Sequence, residues 1–238
     1  MDPTERDRRY GVGIPALFNP LPNKDPHMST ISIIGSGGMA AAIGGLAAGA
    51  GYTVEIMSRD ASKAQALADE IGSNATTGIF GALPAGDIVI LAMPYSAVLD
   101  VVKQYGEQLA GKLIVDITNP VGPDLKSLVT PEGSSGTREI VQIAPATAQV
   151  VKAFNSQFSH VLAASAVEQH RLDVFIAGDD AQAKAGIAAF VENLGMRPID
   201  AGALDMARAL EHVCLLSLGL VTHSVMHTRF SIGVSLLG

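Results

Sequence analysis

The sequence predicts an α/β protein built on a doubly wound, mostly parallel sheet. Three observations point there. Short apolar runs rich in β-branched residues alternate along the chain with segments of helical composition. Two of these runs, Asp87 to Ala92 and Lys112 to Ile117, are apolar almost throughout, as strands covered on both faces must be. The first run, from Ile31, passes through Gly35-Ser36-Gly37-Gly38-Met39-Ala40 directly into a helix-forming stretch, Met39 to Ala50.

That turn has a physical logic. Gly35 lets the chain leave the strand sharply, and Gly37 carries no side chain to obstruct a pyrophosphate. Ala40 is small enough for close packing of helix on strand. The helix start adds free N–H groups and a positive dipole end. The sequence predicts a Rossmann-type unit, although a tight turn without a ligand would need the same residues.

Composition narrows the function classes. Of the 238 residues, 48% are apolar and 16% charged, so a large core is available. The net charge is -7 and no basic run occurs, which argues against nucleic acid and anionic membranes as partners. Cys214, the single cysteine, has no internal disulfide partner, and a buried reduced thiol fits a cytoplasmic protein. No apolar stretch reaches membrane-spanning length, since Thr222 and His223 interrupt the run from Val213. Residues 1–27 are rich in Pro, Arg, Asp and Asn and end in His27-Met28. They are expected to be an added leader or a disordered extension and stand outside the fold reasoning. The Rossmann unit is assigned to 28–203 and a helical C-terminal region to 204–238.

Along the chain, Tyr52 to Met57 reads as the second strand and Ala61 to Ile71 as its helix. The tip of this strand is where such a unit meets the adenosine ribose. An NAD-binding chain places an acid there. This one presents Ser58 and Arg59, with Lys63 one helical turn beyond, a set suited to a 2′-phosphate. Asp60 could still play the acid, so the residues favour NADP without excluding NAD. Asp87 to Ala92 is broken by Met93-Pro94-Tyr95, and Ser96 to Tyr105 forms a helix. That puts Ala92, Met93 and Pro94 at the ligand edge of the sheet. Lys112 to Ile117 leads into an excursion, Gly122 to Thr137, readable as a loop over the site or as plain surface. Further strands are expected at Gln149 to Phe154, Leu172 to Ala177 and Arg197 to Asp200, with a helix from Ala181 to Leu194. From Leu204 the pattern is helical and apolar on to Leu237, which calls for a partner surface: either it caps the first domain or, the reading favoured, it makes a homodimer.

Taken together, these pieces resemble the NADP-dependent oxidoreductases of the coenzyme F420 type, F420H2:NADP oxidoreductase among them, and more distantly STEAP-type reductase domains. The resemblance covers Ser29 to about His212. It rests on the Gly35–Ala40 turn, Ser58-Arg59 with Lys63, and Pro94. It also rests on Val151-Lys152-Ala153-Phe154-Asn155, Gly178-Asp179-Asp180, Ile199 to Leu204, and Ala207-Arg208 with Leu210-Glu211. It implies that Gly35, Ser36, Gly37, Gly38, Met39 and Ala40 hold the pyrophosphate, and that Ser58, Arg59 and Lys63 hold the 2′-phosphate. Ala92, Met93, Pro94 and Ala153 would line the nicotinamide end. It implies hydride exchange between NADP(H) and a deazaflavin (coenzyme F420) or flavin, with no catalytic side chain and no metal expected. His212, His223 and His227 are read as structural. Two other readings stay open: reduction of a small carbonyl or imine, with Tyr95 or His227 as proton donor, and a non-catalytic NADPH-binding redox sensor.

Overall fold

The computed structural model describes residues 29–168 and 171–237; the expected leader, 1–27, lies outside them. The chain runs β1 (Thr30–Ile34), α1 (Gly38–Gly49), β2 (Thr53–Met57), α2 (Ala61–Ile71), β3 (Ala75–Gly78) and β4 (Ile88–Leu91). It continues as α3 (Tyr95–Tyr105), β5 (Leu113–Asp116), α4 (Gly136–Ile143), β6 (Gln149–Lys152), α5 (Ser159–Glu168) and β7 (Asp173–Ala177). Last come α6 (Ala181–Asn193), β8 (Arg197–Gly202) and α7 (Met206–Leu220).

The eight strands form one sheet in the order β3-β2-β1-β4-β5-β6-β7-β8. All neighbours are parallel except β6 and β7, which meet at the single antiparallel pair Lys152–Ala177. The predicted doubly wound, mostly parallel sheet is therefore what forms. Its order reverses beside β1: the chain walks outward to β3, then crosses back to place β4 against β1. Ligands bind open α/β sheets in the crevice that such a reversal leaves at the carboxyl ends of the strands. The Gly35–Ala40 turn leaves β1 at that end.

Alternation along β1 divides the core into two layers. Ile31 and Ile33 pack with Ala40, Ile43, Leu67, Leu162 and Ile187, which brings α1, α2, α5 and α6 onto one face. Ile34 packs with Val98, Val102, Tyr105 and Ile140 from α3 and α4 on the other. With both faces covered, the strands need no polar side and stay apolar throughout.

Three elements lie where the sequence carried little signal. β3 has only four residues, Ala-Thr-Thr-Gly, at an exposed edge. α5 is built of small residues, and α4 begins within the expected excursion. The C-terminal expectation needs correction. Helix continues past α7 only through one π turn, Val221–Val225, and Met226 stops it in the left-handed region at φ 60°. Beyond it no helix forms among the described residues, and the tail turns back to the sheet. His160 Nε2 lies 3.0 Å from the Thr228 carbonyl, and the Val234 N–H donates to Asp173 at 2.6 Å. Arg197, paired with Asp173, also donates to the Val234 carbonyl. The tail is tied to the β7 and β8 edge through its backbone instead of extending a helix, and Val234, Leu236 and Leu237 leave their side chains exposed. Among the described residues, no helix is long and apolar enough to cross a membrane.

Candidate functional site

The glycine turn is built as its sequence demands. Gly35 has φ 135°, and a Cβ there would stand 2.0 Å from the Ala92 carbonyl oxygen, so only glycine fits. Its N–H donates to the Met57 carbonyl at 2.8 Å, pinning the turn between the ends of β2 and β4. Gly37 caps α1, and a Cβ on it would meet nothing within 4 Å: its open side faces free space. Ala40 is fully buried, and α1 has no acidic residue in its first turn. Open backbone N–H groups at an unneutralised helix start are a cradle for an anion.

Ser36, in the turn, lies 3.0 Å from Ser58 at the tip of β2, hydroxyl to hydroxyl. Asp60 is otherwise engaged. Its carboxylate accepts from the Lys63 N–H at 3.1 Å and so caps α2. The acid that kept NAD open in the sequence is thus a helix cap. Lys63 keeps its side chain 72% exposed, with the ammonium 3.8 Å from Asp60, and Arg59 is exposed beside it. Ser58 and Arg59 line a cleft of about 560 Å³ with Thr77, Phe80 and Gln104. Ile79 on its rim is 79% exposed. A hydroxyl and two cations beside an unused apolar surface suit a phosphorylated adenosine.

A second cavity, also about 560 Å³, opens at the ends of β4 and β5. Gly37, Gly38 and Met39 form one wall, Ala92, Met93, Pro94 and Tyr95 another, and Thr118 and Asn119 the floor. The excursion after β5 supplies Pro123 and Val129, with Val121 just before it, so it does line the cavity. It is a tight loop: the Gly122 N–H donates to the Ser127 carbonyl at 2.8 Å, and Asp124 accepts from the N–H groups of Lys126 and Ser127. The glycine turn thus joins both regions at one switch point, touching the β2 tip through Ser36 and Ser58 and the cavity through Gly37 and Gly38. Ala153 lies apart. It is fully buried in the core, donates its N–H to the Asp116 carbonyl, and does not line the cavity.

Beneath the cavity floor is a cluster that sequence pattern alone does not assign. Lys152, Asp116 and Glu211 are all fully buried. The Lys152 ammonium donates to Asp116 Oδ2 at 2.9 Å, Glu211 Oε1 at 3.1 Å and the Thr118 carbonyl at 2.5 Å, which uses its three protons. Thr137 donates to Asp116, and the Gly136 N–H donates to Glu211 Oε1 at 3.0 Å. Burial pushes the Glu211 carboxyl up from its ordinary range, and Lys152 opposes the shift. Burial likewise pushes up the Cys214 thiol. Asn119 and Asn155 exchange hydrogen bonds at 2.8 Å on the cavity side. Tyr95 donates to Glu139 at 2.6 Å, and burial with that carboxylate raises its phenol pKa. A lone charge inside a run such as Val150-Val151-Lys152-Ala153 is a readable signal, because an unpaired buried charge is prohibitive.

His212 bonds to the Arg208 carbonyl, and His227 accepts from the Arg229 N–H beyond the π turn. Among the described residues no group of His, Cys, Asp or Glu could hold a metal ion.

Residues 30–120 match the family model for NADP oxidoreductase, coenzyme F420-dependent. This segment is similar to the F420-dependent NADP oxidoreductase domains that the family model describes. It contains the turn, the β2 tip, Ala92–Pro94 and Thr118-Asn119. The F420-dependent NADP reductase of Methanocaldococcus jannaschii is 32% identical over 141 residues, 57% of this chain and 62% of that protein. Metalloreductase STEAP3 of Rattus norvegicus is 28% identical over 188 residues, 78% of this chain and 36% of that protein. The chain thus matches less than two thirds of either relative. Among solved structures, a putative F420-dependent NADP reductase from an Arthrobacter species superposes with a TM-score of 0.77 at 24% identity, covering 87% of this chain and 99% of that one. The likeness is one of fold. A hypothetical protein from Sinorhizobium meliloti has a TM-score of 0.67 at 29% identity, covering 74% and 86%.

Proposed function

We propose that the protein is an NADP(H)-dependent oxidoreductase that passes hydride between NADP(H) and a deazaflavin of the coenzyme F420 type or a flavin. The observation that carries this reading is the β2 tip. Among the described residues, Ser58, Arg59 and Lys63 meet no competing carboxylate except the loose contact to Asp60, which is spent as a helix cap. A 2′-phosphate gives that set its partner; a bare ribose does not. The cofactor supplies the hydride, and the chain supplies orientation. Gly37 admits the pyrophosphate to the start of α1, while Met93, Pro94, Val121 and Val129 shield a planar ring from water. A deazaflavin, as acceptor, needs no protein acid of its own, and the cavity wall offers none that is free. Tyr95, the donor that carbonyl or imine reduction would use, has its proton committed to Glu139. That contact weighs against the second reading.

The exposed Leu216 of α7 and the exposed Leu236 and Leu237 of the tail support a homodimer formed through the C-terminal region. The test of function is a spectrophotometric assay. NADPH is added to the purified protein with a deazaflavin or FMN in turn, and bleaching or recovery of each acceptor is followed. Transfer to the deazaflavin supports the reading; tight NADPH binding with no transfer to either acceptor overturns it and leaves reduction of a small carbonyl or imine, or a sensing role.

A further inference from the structure

Helix α4 opens on a glycine that its backbone does not need. Ser135 caps the helix by accepting from the Arg138 N–H at 3.1 Å. Gly136 is then the first helical residue, and it has no positive φ to call for glycine. Alanine suits such a position better, because glycine loses more freedom on folding. What excludes a side chain is a neighbour. A Cβ on Gly136 would stand 2.9 Å from Cε2 and 3.1 Å from Cδ2 of Tyr95, well inside the separation at which carbon atoms attract. It would also lie 3.3 Å from Glu211 Oε1.

Of these two neighbours, Glu211 is fixed. Its Oε1 accepts from Lys152 and from the Gly136 N–H itself, within the fully buried cluster. Tyr95 is held at its hydroxyl by Glu139 of the same helix, at 2.6 Å, and packs against the core layer that contains Val98 and Ile140. It is only half-buried, however, and it lines the cavity at the ends of β4 and β5. A close-packed core does not yield, so a ring pushed off Gly136 moves into the cavity. Among the described residues that line this cavity, Tyr95 alone is aromatic, and Gly136 is not one of them. The width of the cavity is thus governed from behind its wall.

We infer that Gly136 is the specificity-determining residue of the ring cavity: carrying no side chain, it lets Tyr95 stand back against α4 and leaves the width that a fused, planar acceptor ring requires beside the nicotinamide. Tyr95 is the wall, and Glu139 is the positioning residue that ties it back. This rests on the reading of the site as one for NADP(H) and a deazaflavin, and adds to it what sets the size of the acceptor.

The test is steady-state hydride transfer from NADPH to coenzyme F420, with NADPH affinity measured separately by calorimetric titration. Gly136→Ala is expected to raise the KM for coenzyme F420 about tenfold, the scale of one overpacked contact. NADPH affinity should stay within about twofold of the parent, because its phosphates are held at the glycine turn and the β2 tip, away from α4. A shorter side chain in place of the ring should make room again. Gly136→Ala/Tyr95→Leu should therefore show the KM of Tyr95→Leu alone, within about twofold, a reversal that a merely structural role for Gly136 would not produce. An unchanged KM in Gly136→Ala overturns the inference. So does an equal loss for NADPH and coenzyme F420, and so does a defect that persists in full after Tyr95→Leu. Should Gly136→Ala not fold, the double variant decides: recovery of folding and of the Tyr95→Leu KM supports the wall, and failure to recover overturns it. A crystal structure of Gly136→Ala reads the displacement without any acceptor. A Tyr95 ring shifted toward Met93 and Val129 supports the inference, and a ring left in place overturns it. If the parent passes no hydride to coenzyme F420, the functional reading fails, while the displacement of Tyr95 still stands or falls on its own.

Discussion

Substituting Lys152→Met removes the cation from between two fully buried carboxylates and keeps most of the apolar stem. In the parent, the ammonium is the neighbour that offsets the desolvation of Glu211, and it satisfies the Thr118 carbonyl as well. Breaking a buried ion pair by deleting one partner costs about 3–5 kcal/mol, because a charge is left without compensation. A domain of this kind has about 5–15 kcal/mol in total, so the variant should be marginal at neutral pH. At roughly 2–4 °C per kcal/mol for a chain of this size, Tm should drop by about 6–20 °C. The loss should also depend on pH. Without Lys152, the one large influence lowering the Glu211 pKa is gone, so the folded carboxyl holds its proton still more tightly. A folded pKa above the unfolded one means stability is full below the unfolded pKa and falls as pH rises through the folded value. Urea unfolding of Lys152→Met at pH 5 and pH 8 should therefore show the larger loss at pH 8. Adding Glu211→Gln should recover part of it, since one stranded charge is removed. A loss below about 1 kcal/mol, equal at both pH values, would refute the claim that the cluster is a mutually compensating ion network.

Two glycines of the turn should separate folding from binding. Gly35→Ala forces a Cβ onto the Ala92 carbonyl at a positive φ, so it should destabilise the fold by at least about 2 kcal/mol in thermal or urea unfolding. Gly37→Val places its side chain in open space; it should melt close to the parent yet abolish binding of NADPH and NADH alike. On its own, Glu211→Gln keeps an oxygen for Lys152 and the Gly136 N–H. It should flatten the decline in stability that the parent shows as pH rises above about 4.5 through the raised Glu211 pKa, read by urea midpoints across pH 5–8. Asp173 gives the opposite sign, since hydrogen bonding to Arg197 holds its carboxyl below the ordinary range. Asp173→Asn should remove stability at pH 7 and narrow the parent's acid-side loss as pH falls below about 4.

The sheet and the pyrophosphate turn were legible because both are written in local sequence. A buried parallel strand must be apolar at every position, and Gly35 stands where no side chain is tolerated, with Gly37 leaving the helix start open. The β2 tip was legible as a set of residue types, but the role of Asp60 was not. Whether it faces a ribose or caps α2 depends on one side-chain torsion, and the cap won because the Lys63 N–H needed an acceptor. α5 escaped notice because a helix of small residues has no polar face to mark its period. The C-terminal tail misled for the reverse reason: its apolar content suggests a helix, but its backbone is bound to the β7 and β8 edge at Val234. The Lys152 cluster joins β5, β6, α4 and α7 through hydrogen bonds that span up to 75 positions, and pairing over that distance is written in the fold alone.

Whether the β2 tip reads a 2′-phosphate through Arg59 and its neighbours is decided most sharply by the affinity of the parent and of Arg59→Ala for NADPH and NADH. The parent should prefer NADPH. The substitution should weaken NADPH by about 1.5–3 kcal/mol, the worth of a charge-assisted hydrogen bond, while barely touching NADH. Equal affinity of the parent for both dinucleotides, or an equal loss of both in Arg59→Ala, would show that Arg59 does not read the phosphate.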